Sequence, residues 1–173
     1  MSKHCPVCSS EIVSPSGDAD STILFIGSCP SDEEIKYGRP FAGQIYPIFK
    51  RMLFKIAHID LTATRQVLLW YHAKPTSKKA LVNDCFVVSK DIVMRELIGK
   101  KIVALVGADA VKEFTGKSSD DLAGLDVTMF VDDSYKINNQ RFFALPKETS
   151  IFRSWGEMQF SLENLQKFLN QYS

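Results

Sequence analysis

The chain predicts an α/β protein, a three-layer α/β/α sandwich around a central, mostly parallel four-stranded sheet. Three observations carry that prediction. Thr22 to Gly27 and Lys101 to Gly107 are mainly apolar runs that close on glycine, the signature of strands buried on both faces. Segments of helical period alternate with such runs, which argues for a parallel sheet with helices on both faces. The composition, with 45% hydrophobic and 24% charged residues in 173, excludes a disordered, collagen-like or disulfide-dense chain. A single core at this length buries roughly 70% of the surface the unfolded chain exposes.

The elements follow in order. Cys5-Pro-Val-Cys8 lies in a short polar head that ends in the Ser/Pro/Gly/Asp stretch Ser14 to Ser21. The body then opens on the strand Thr22 to Gly27. Ile45, Ile48, Phe49, Met52, Leu53 and Ile56 fall at spacings of three and four, an amphipathic helix with Pro47 in its first turn. Gln66 to Tyr71 reads as a second strand, Leu81 to Ile98 as a helix, and Lys101 to Gly107 as a third strand. A short helix is expected from Asp109 to Thr115. Asp126 to Val131 and Arg141 to Leu145 read as further strands around a polar turn at Asn138-Asn139. Met158, Leu162, Leu165, Phe168 and Leu169 place a closing helix. The expected division is a Cys-x-x-Cys head at 1–21, packing on a body at 22–173.

Open sheets of this kind bind ligands outside the carboxyl ends of their strands. That directs attention to Gly27 to Gly43, Trp70 to Lys79, Gly107 to Asp109 and Pro146 to Arg153. The formal net charge is +1, so the chain does not read as a protein that coats nucleic acid non-specifically. No apolar run reaches a membrane-spanning length, and the first residues form no secretory h-region. The expectation is a cytoplasmic monomer. In that setting a close cysteine pair points to metal or redox chemistry before a disulfide.

The loop after the first strand reads Gly27-Ser28-Cys29-Pro30-Ser31-Asp32-Glu33-Glu34, followed by Gly38-Arg39-Pro40-Phe41-Ala42-Gly43 and the helix ending Arg51-Met52-Leu53. This resembles the first motif of the family 4 uracil-DNA glycosylases, Gly-Glu-x-Pro-Gly, an acidic stretch, and Gly-Arg-Pro-Phe-Val-Gly. Weaker matches extend along the chain. His72-Ala73-Lys74-Pro75-Thr76 lies where the family has Lys-Cys-Arg-Pro-Pro, Cys85 matches a later cysteine, and Lys147 to Arg153 resembles the closing His-Pro-x-x-Leu-Leu-Arg loop.

The resemblance implies a DNA repair enzyme that flips a base out of the stack and hydrolyses its N-glycosidic bond. Gly27, Pro30, Phe41 and Leu69 would form the base pocket, with Phe41 stacking on the base; core packing is the competing reading of Phe41. Ile151 and Phe152 would be the wedge filling the gap in the duplex, with Arg153 on a phosphate, against ordinary packing under a loop. Lys74, Lys78 and Lys79 would follow the DNA backbone, against a solvated loop. Cys5, Cys8 and Cys85 match three of the four cysteines that hold the family's 4Fe–4S cluster. The third family position is Ala73, with His72 beside it. Cys5, Cys8, His72 and Cys85 would then bind a cluster with one histidine ligand, or zinc. The other reading is a lost site.

The catalytic positions depart from the pattern. Ser28 replaces the family's glutamate, Cys29 the water-activating Asp or Asn of sister families, Leu69 the uracil-reading Asn, and Lys147 the histidine that stabilises the departing base. Ser28 and Cys29 are poor bases, so water activation would fall to Asp32 or Glu33. Lys147 keeps a donor and a positive charge for an anionic leaving group. The expected function is a divergent glycosylase acting on a damaged or modified pyrimidine in single-stranded DNA or flipped from a duplex. The alternatives are a catalytically silent DNA- or base-binding protein and an enzyme of modified nucleotides.

Overall fold

The computed structural model describes residues 3–74 and 79–172. The sheet has five strands: β1 (Ser16–Gly17), β2 (Ile23–Gly27), β3 (Arg65–Leu68), β4 (Ile102–Val106) and β5 (Arg141–Leu145). Their order is β1-β3-β2-β4-β5, and all neighbours are parallel except β1, which runs antiparallel along the edge of β3. The expected four-stranded parallel sheet is present. The fifth strand is the two-residue edge supplied by the polar stretch before the body, where Ser16 pairs with Gln66 and Gly17 with Arg65.

Side chains on successive strand residues point to opposite faces, so strands apolar throughout build two cores at once. Leu24, Ile26, Val67, Val103, Leu105 and Phe142 face one core. Phe25, Ala104, Val106, Phe143 and Leu145 face the other. On the first face lie α3 (Lys79–Leu97), α4 (Ala108–Thr115) and α5 (Ser119–Leu122), contributing Val93, Leu97, Val111, Phe114 and Leu122. The second face is closed by α2 (Tyr46–Met52), α6 (Ser150–Arg153) and α7 (Trp155–Tyr172), through Phe49, Met52, Ile151, Met158, Leu162 and Leu165. The molecule is thus a three-layer α/β/α sandwich. Among the described residues, no helix is long and apolar enough to cross a membrane.

Three expectations need correction. The helix expected to run to Ile56 is α-helical only to Met52 and finishes as a π-turn, Leu53–Ala57, closed by His58 in the left-handed conformation. Hydrophobic spacing does not separate 3.6 residues per turn from a local widening, because both keep the apolar stripe inward. Asp126 to Val131 is not a strand. It meets β5 in one isolated bridge, Asp126 to Phe143, and then tightens into a 3-10 turn at Thr128–Phe130. Asp126 accepts from the Thr128 backbone N–H at 3.0 Å, a local turn that competes with the ladder. The second strand ends at Leu68, short of the expected Tyr71.

After β2 the chain moves to β3 on one side, then crosses over to β4 on the other. The carboxyl ends of β2 and β4 are therefore the point where the winding reverses, the place where open α/β sheets hold ligands. α1 (Asp32–Tyr37) follows β2 after four residues.

Candidate active site and metal centre

A cleft of about 500 Å³ opens at this point. One wall is the segment after β2, with Cys29, Pro30, Asp32 and Glu33. The opposite wall is the segment after β5, with Lys147, Thr149 and Phe152. Glu34, Tyr46 and Glu148 line the cleft between them. A narrow inner space of about 10 Å³ continues inward past Glu34, Tyr46 and Glu148 to Gly27, Phe41 and Leu68.

Glu34 is placed by local sequence. Ser31-x-x-Glu34 forms a reciprocal cap on α1, with Ser31 Oγ accepting from the Glu34 N–H at 3.2 Å and Glu34 Oε1 accepting from the Ser31 N–H at 3.0 Å. The other oxygen, Oε2, accepts from the Phe41 N–H at 2.8 Å. That bond clamps Phe41 at φ 54, a left-handed conformation that non-glycine residues rarely adopt. Burial raises the Glu34 carboxyl above its ordinary range despite these donors, and the Glu148 charge adds to the shift. Tyr46 donates its hydroxyl to Glu148 Oε1 at 2.8 Å, and Glu34 stands beside the same hydroxyl. Burial and the two carboxylates keep that phenol protonated.

The residues singled out in the sequence divide as follows. Gly27 and Phe41 line the inner space, and Pro30 the outer cleft. Phe41 is buried, its ring edge-to-face with Tyr46 at 5.5 Å and stacked near Phe49 at 6.2 Å. Leu69 is a correction. It points into the opposite core with Val67, and Leu68 lines the inner space instead, because a shift of one residue along extended chain reverses the face. Ile151 is a second correction. The single turn of α6 sends it into the core and leaves Phe152 at 72% exposure. Arg153 is exposed beside it. Lys78 lies outside the described residues, as does the side chain of Lys79.

Ser28 is built into the frame. Its hydroxyl donates to the Val106 carbonyl at 3.1 Å and accepts from the Ala110 N–H at 3.2 Å, tying β2 to β4 and α4. Ser28→Ala should lower stability by about 1–3 kcal/mol, the usual cost of orphaning a buried partner. Chemical denaturation would read this as a shifted midpoint.

Cys29 donates its thiol to Asp109 Oδ2 at 3.2 Å. Asp109 in turn pairs with Lys74 at 3.6 Å, whose ammonium lies 5.3 Å from the Trp70 ring centre. Burial first, then the Asp109 hydrogen bond, pushes the Cys29 thiol up to about 12. Such a thiol is neither a base nor a nucleophile at neutral pH. Iodoacetamide at pH 8 should therefore leave Cys29 unmodified in the folded protein and label it after denaturation, which peptide mass spectrometry resolves.

On the far side of β3 lies a second constellation. The ligand-type atoms of Cys5, Cys8, His72 and Cys85 all lie within 4.8 Å of one another. Cys5 Sγ is 4.0 Å from Cys85 Sγ, and Cys8 Sγ is 3.5 Å from His72 Nε2. His72 Nδ1 meets the Ala73 carbonyl at 2.7 Å. A carbonyl only accepts, so Nδ1 carries the proton and Nε2 presents its lone pair to the cysteines. Tyr71 donates its hydroxyl to Cys5 Sγ at 2.7 Å, and the Val7 N–H donates at 3.4 Å. Burial disfavours the Cys5 thiolate, but these donors with the Cys8 backbone outweigh it and lower the thiol. Burial first, then hydrogen bonds with Cys8 and Cys5, pushes the Cys85 thiol up to about 12. The arrangement can hold a metal ion.

Glu34, Asp109 and Glu148 lie in the segments at the carboxyl ends of the strands but carry no individual role in the motif pattern, and Tyr46 lies outside those segments. The capping-box spacing was a usable signal for Glu34, since it fixes the carboxylate next to the motif glycines. Nothing in the local sequence pairs Tyr46 with Glu148, which are 102 residues apart.

No curated protein matches the chain significantly. The family model described as the uracil DNA glycosylase superfamily matches residues 14–172. That span covers β1 through α7 and both walls of the cleft, and the chain belongs to the uracil DNA glycosylase superfamily.

Proposed function

We propose that this chain is a divergent DNA glycosylase that hydrolyses the N-glycosidic bond of a damaged or modified pyrimidine flipped out of DNA. The observation that supports this most is the 500 Å³ cleft at the winding reversal of a superfamily domain, walled by the segments after β2 and β5. Its volume falls within the roughly 300–1,000 Å³ of small-molecule sites. Phe152, apolar and exposed at the cleft edge, fills the gap left in the base stack, and Arg153 beside it contacts a phosphate. Lys74 extends the cationic rim.

Lys147 lines both the cleft and the inner space. As the bond from C1′ to the base nitrogen breaks, its electron pair passes to the base, and the Lys147 ammonium stabilises that negative charge. Water adds its oxygen to C1′, and Asp32, exposed at the cleft lip, takes the proton. Ser28 and Cys29 position the wall and do not transfer protons.

The Cys5, Cys8, His72 and Cys85 group holds a single structural ion, and zinc suits it best. Four donors at about 2.3 Å (sulfur) and 2.0 Å (nitrogen) around one tetrahedral ion lie less than 4 Å apart. The Cys5–Cys85 and Cys8–His72 separations of 4.0 and 3.5 Å come near that size, and all four atoms lie within 4.8 Å of one another. A four-iron cluster puts each cysteine on its own iron and spreads the sulfurs further. The ion would tie the head to the segment after β3 and to α3.

The test is incubation with single-stranded and duplex oligonucleotides carrying uracil, hydroxymethyluracil, hypoxanthine or a modified cytosine, scored for abasic sites. Abasic product that falls with Asp32→Asn supports the reading. DNA binding without product on every base replaces it with a silent binding protein.

A further inference from the structure

We infer that the cleft recognises a base carrying an exocyclic amino group, of the cytosine type, in preference to uracil. This rests on the reading of the cleft as the base site and adds the chemistry that selects the base. The edge-reading amide expected of the family is missing, and Leu69 in its place faces the other core. What the cleft offers between its walls is the Tyr46–Glu148 pair. Glu148 is 8% exposed and lines both the cleft and the inner space. Its Oε1 is taken by the Tyr46 hydroxyl, and no donor among the described residues is bonded to its Oε2.

That oxygen is an unpartnered acceptor on a residue that lines the cleft, and a carboxylate oxygen only accepts. Neither Glu148 nor the neighbouring Glu34 forms an ion pair among the described residues. The carboxylate therefore gains most from a ligand that brings an N–H. An exocyclic amine supplies it, as in the pairing of Glu or Asp with the N4 amine of cytosine. Uracil puts a carbonyl oxygen at that position, which the carboxylate repels. Glu148 stands where the closing motif of family 4 has proline, so this acceptor is a feature of this chain.

The test uses the full chain as purified, titrated with T-rich single-stranded oligonucleotides that differ only in one central base, cytosine or uracil. The expected result is about tenfold tighter binding of the cytosine strand, the discrimination of one good base-edge contact. Glu148→Gln keeps the size and the acceptor for Tyr46 but turns the free oxygen into an N–H donor. It should erase the preference or reverse it towards uracil, with the unfolding temperature recorded to show that the variant is folded. Equal or tighter binding of uracil by the unmodified chain overturns the inference without any variant. Scoring abasic product in parallel separates the two claims. Uracil preference with product keeps the glycosylase and removes this specificity. Cytosine preference without product on any base keeps the specificity and removes the glycosylase.

Discussion

Replacing Cys85 with serine is expected to release the metal and lower the stability of the whole domain. The four candidate ligands come from the head (Cys5, Cys8), the segment after β3 (His72) and α3 (Cys85), so an ion held by them would cross-link elements up to 80 residues apart. An ion that binds only the folded chain stabilises it by about 4 kcal/mol when its free concentration is a thousandfold above the dissociation constant. Losing that contribution should bring thermal unfolding down by several degrees, on the scale of roughly 2–4 °C per kcal/mol for a chain of this size. Metal analysis of the unmodified protein should give one zinc per chain and a colourless solution; a brown solution with iron and labile sulfide would overturn the single-ion assignment. Chelation should reproduce the loss in the unmodified protein and have no further effect on the variant. Metal binding displaces protons from cysteine and histidine, so the stabilisation should shrink as pH falls and return as it rises. A Cys85→Ser protein that still holds one equivalent of metal at full stability would show that the cluster of ligands is not a binding site.

Lys147→Ala is expected to give the largest loss of catalysis. The ammonium is the one cationic side chain lining the cleft among the described residues, and in the proposed reaction the departing base would need its charge only once the bond is breaking. Removing a donor of this kind costs about a hundredfold to a thousandfold in kcat, some 3–4 kcal/mol of transition-state stabilisation. Ground-state affinity for DNA should change far less, because the phosphate contacts proposed for Lys74 and Arg153 would remain. Single-turnover excision with saturating enzyme separates the two effects. A variant that loses DNA binding but retains the single-turnover rate would reassign Lys147 to the phosphate backbone.

The sheet was legible because a strand buried on both faces must be apolar at every position. Leu24-Phe25-Ile26 and Val103-Ala104-Leu105 admit no other reading once glycine closes the run. The metal centre was legible for a different reason. Cysteine and histidine chemistry is specific enough that four scattered residues, with His72 standing beside the vacant family position, suggested one site. Errors gathered where a side chain's direction depends on a single residue of register. Leu69 and Leu68 are equally apolar, and only strand pairing decides which one meets the inner space. Ile151 and Phe152 differ in the same way on one turn of helix.

By itself, the sequence determined the α/β class, the order of the elements and the loop that carries the family motif, and it picked out the four side chains that the fold gathers into one group able to hold a metal. These follow from hydrophobic period, glycine placement and donor chemistry, which are local properties. The tertiary structure decided what the site contains. It locked Ser28 to Val106 and Ala110, silenced Cys29 against Asp109, and brought Tyr46 to Glu148 across the cleft. Each of those contacts joins residues at least 78 positions apart. Their energies come from burial and from hydrogen bonds closed only when the sheet is assembled, and no local pattern encodes them.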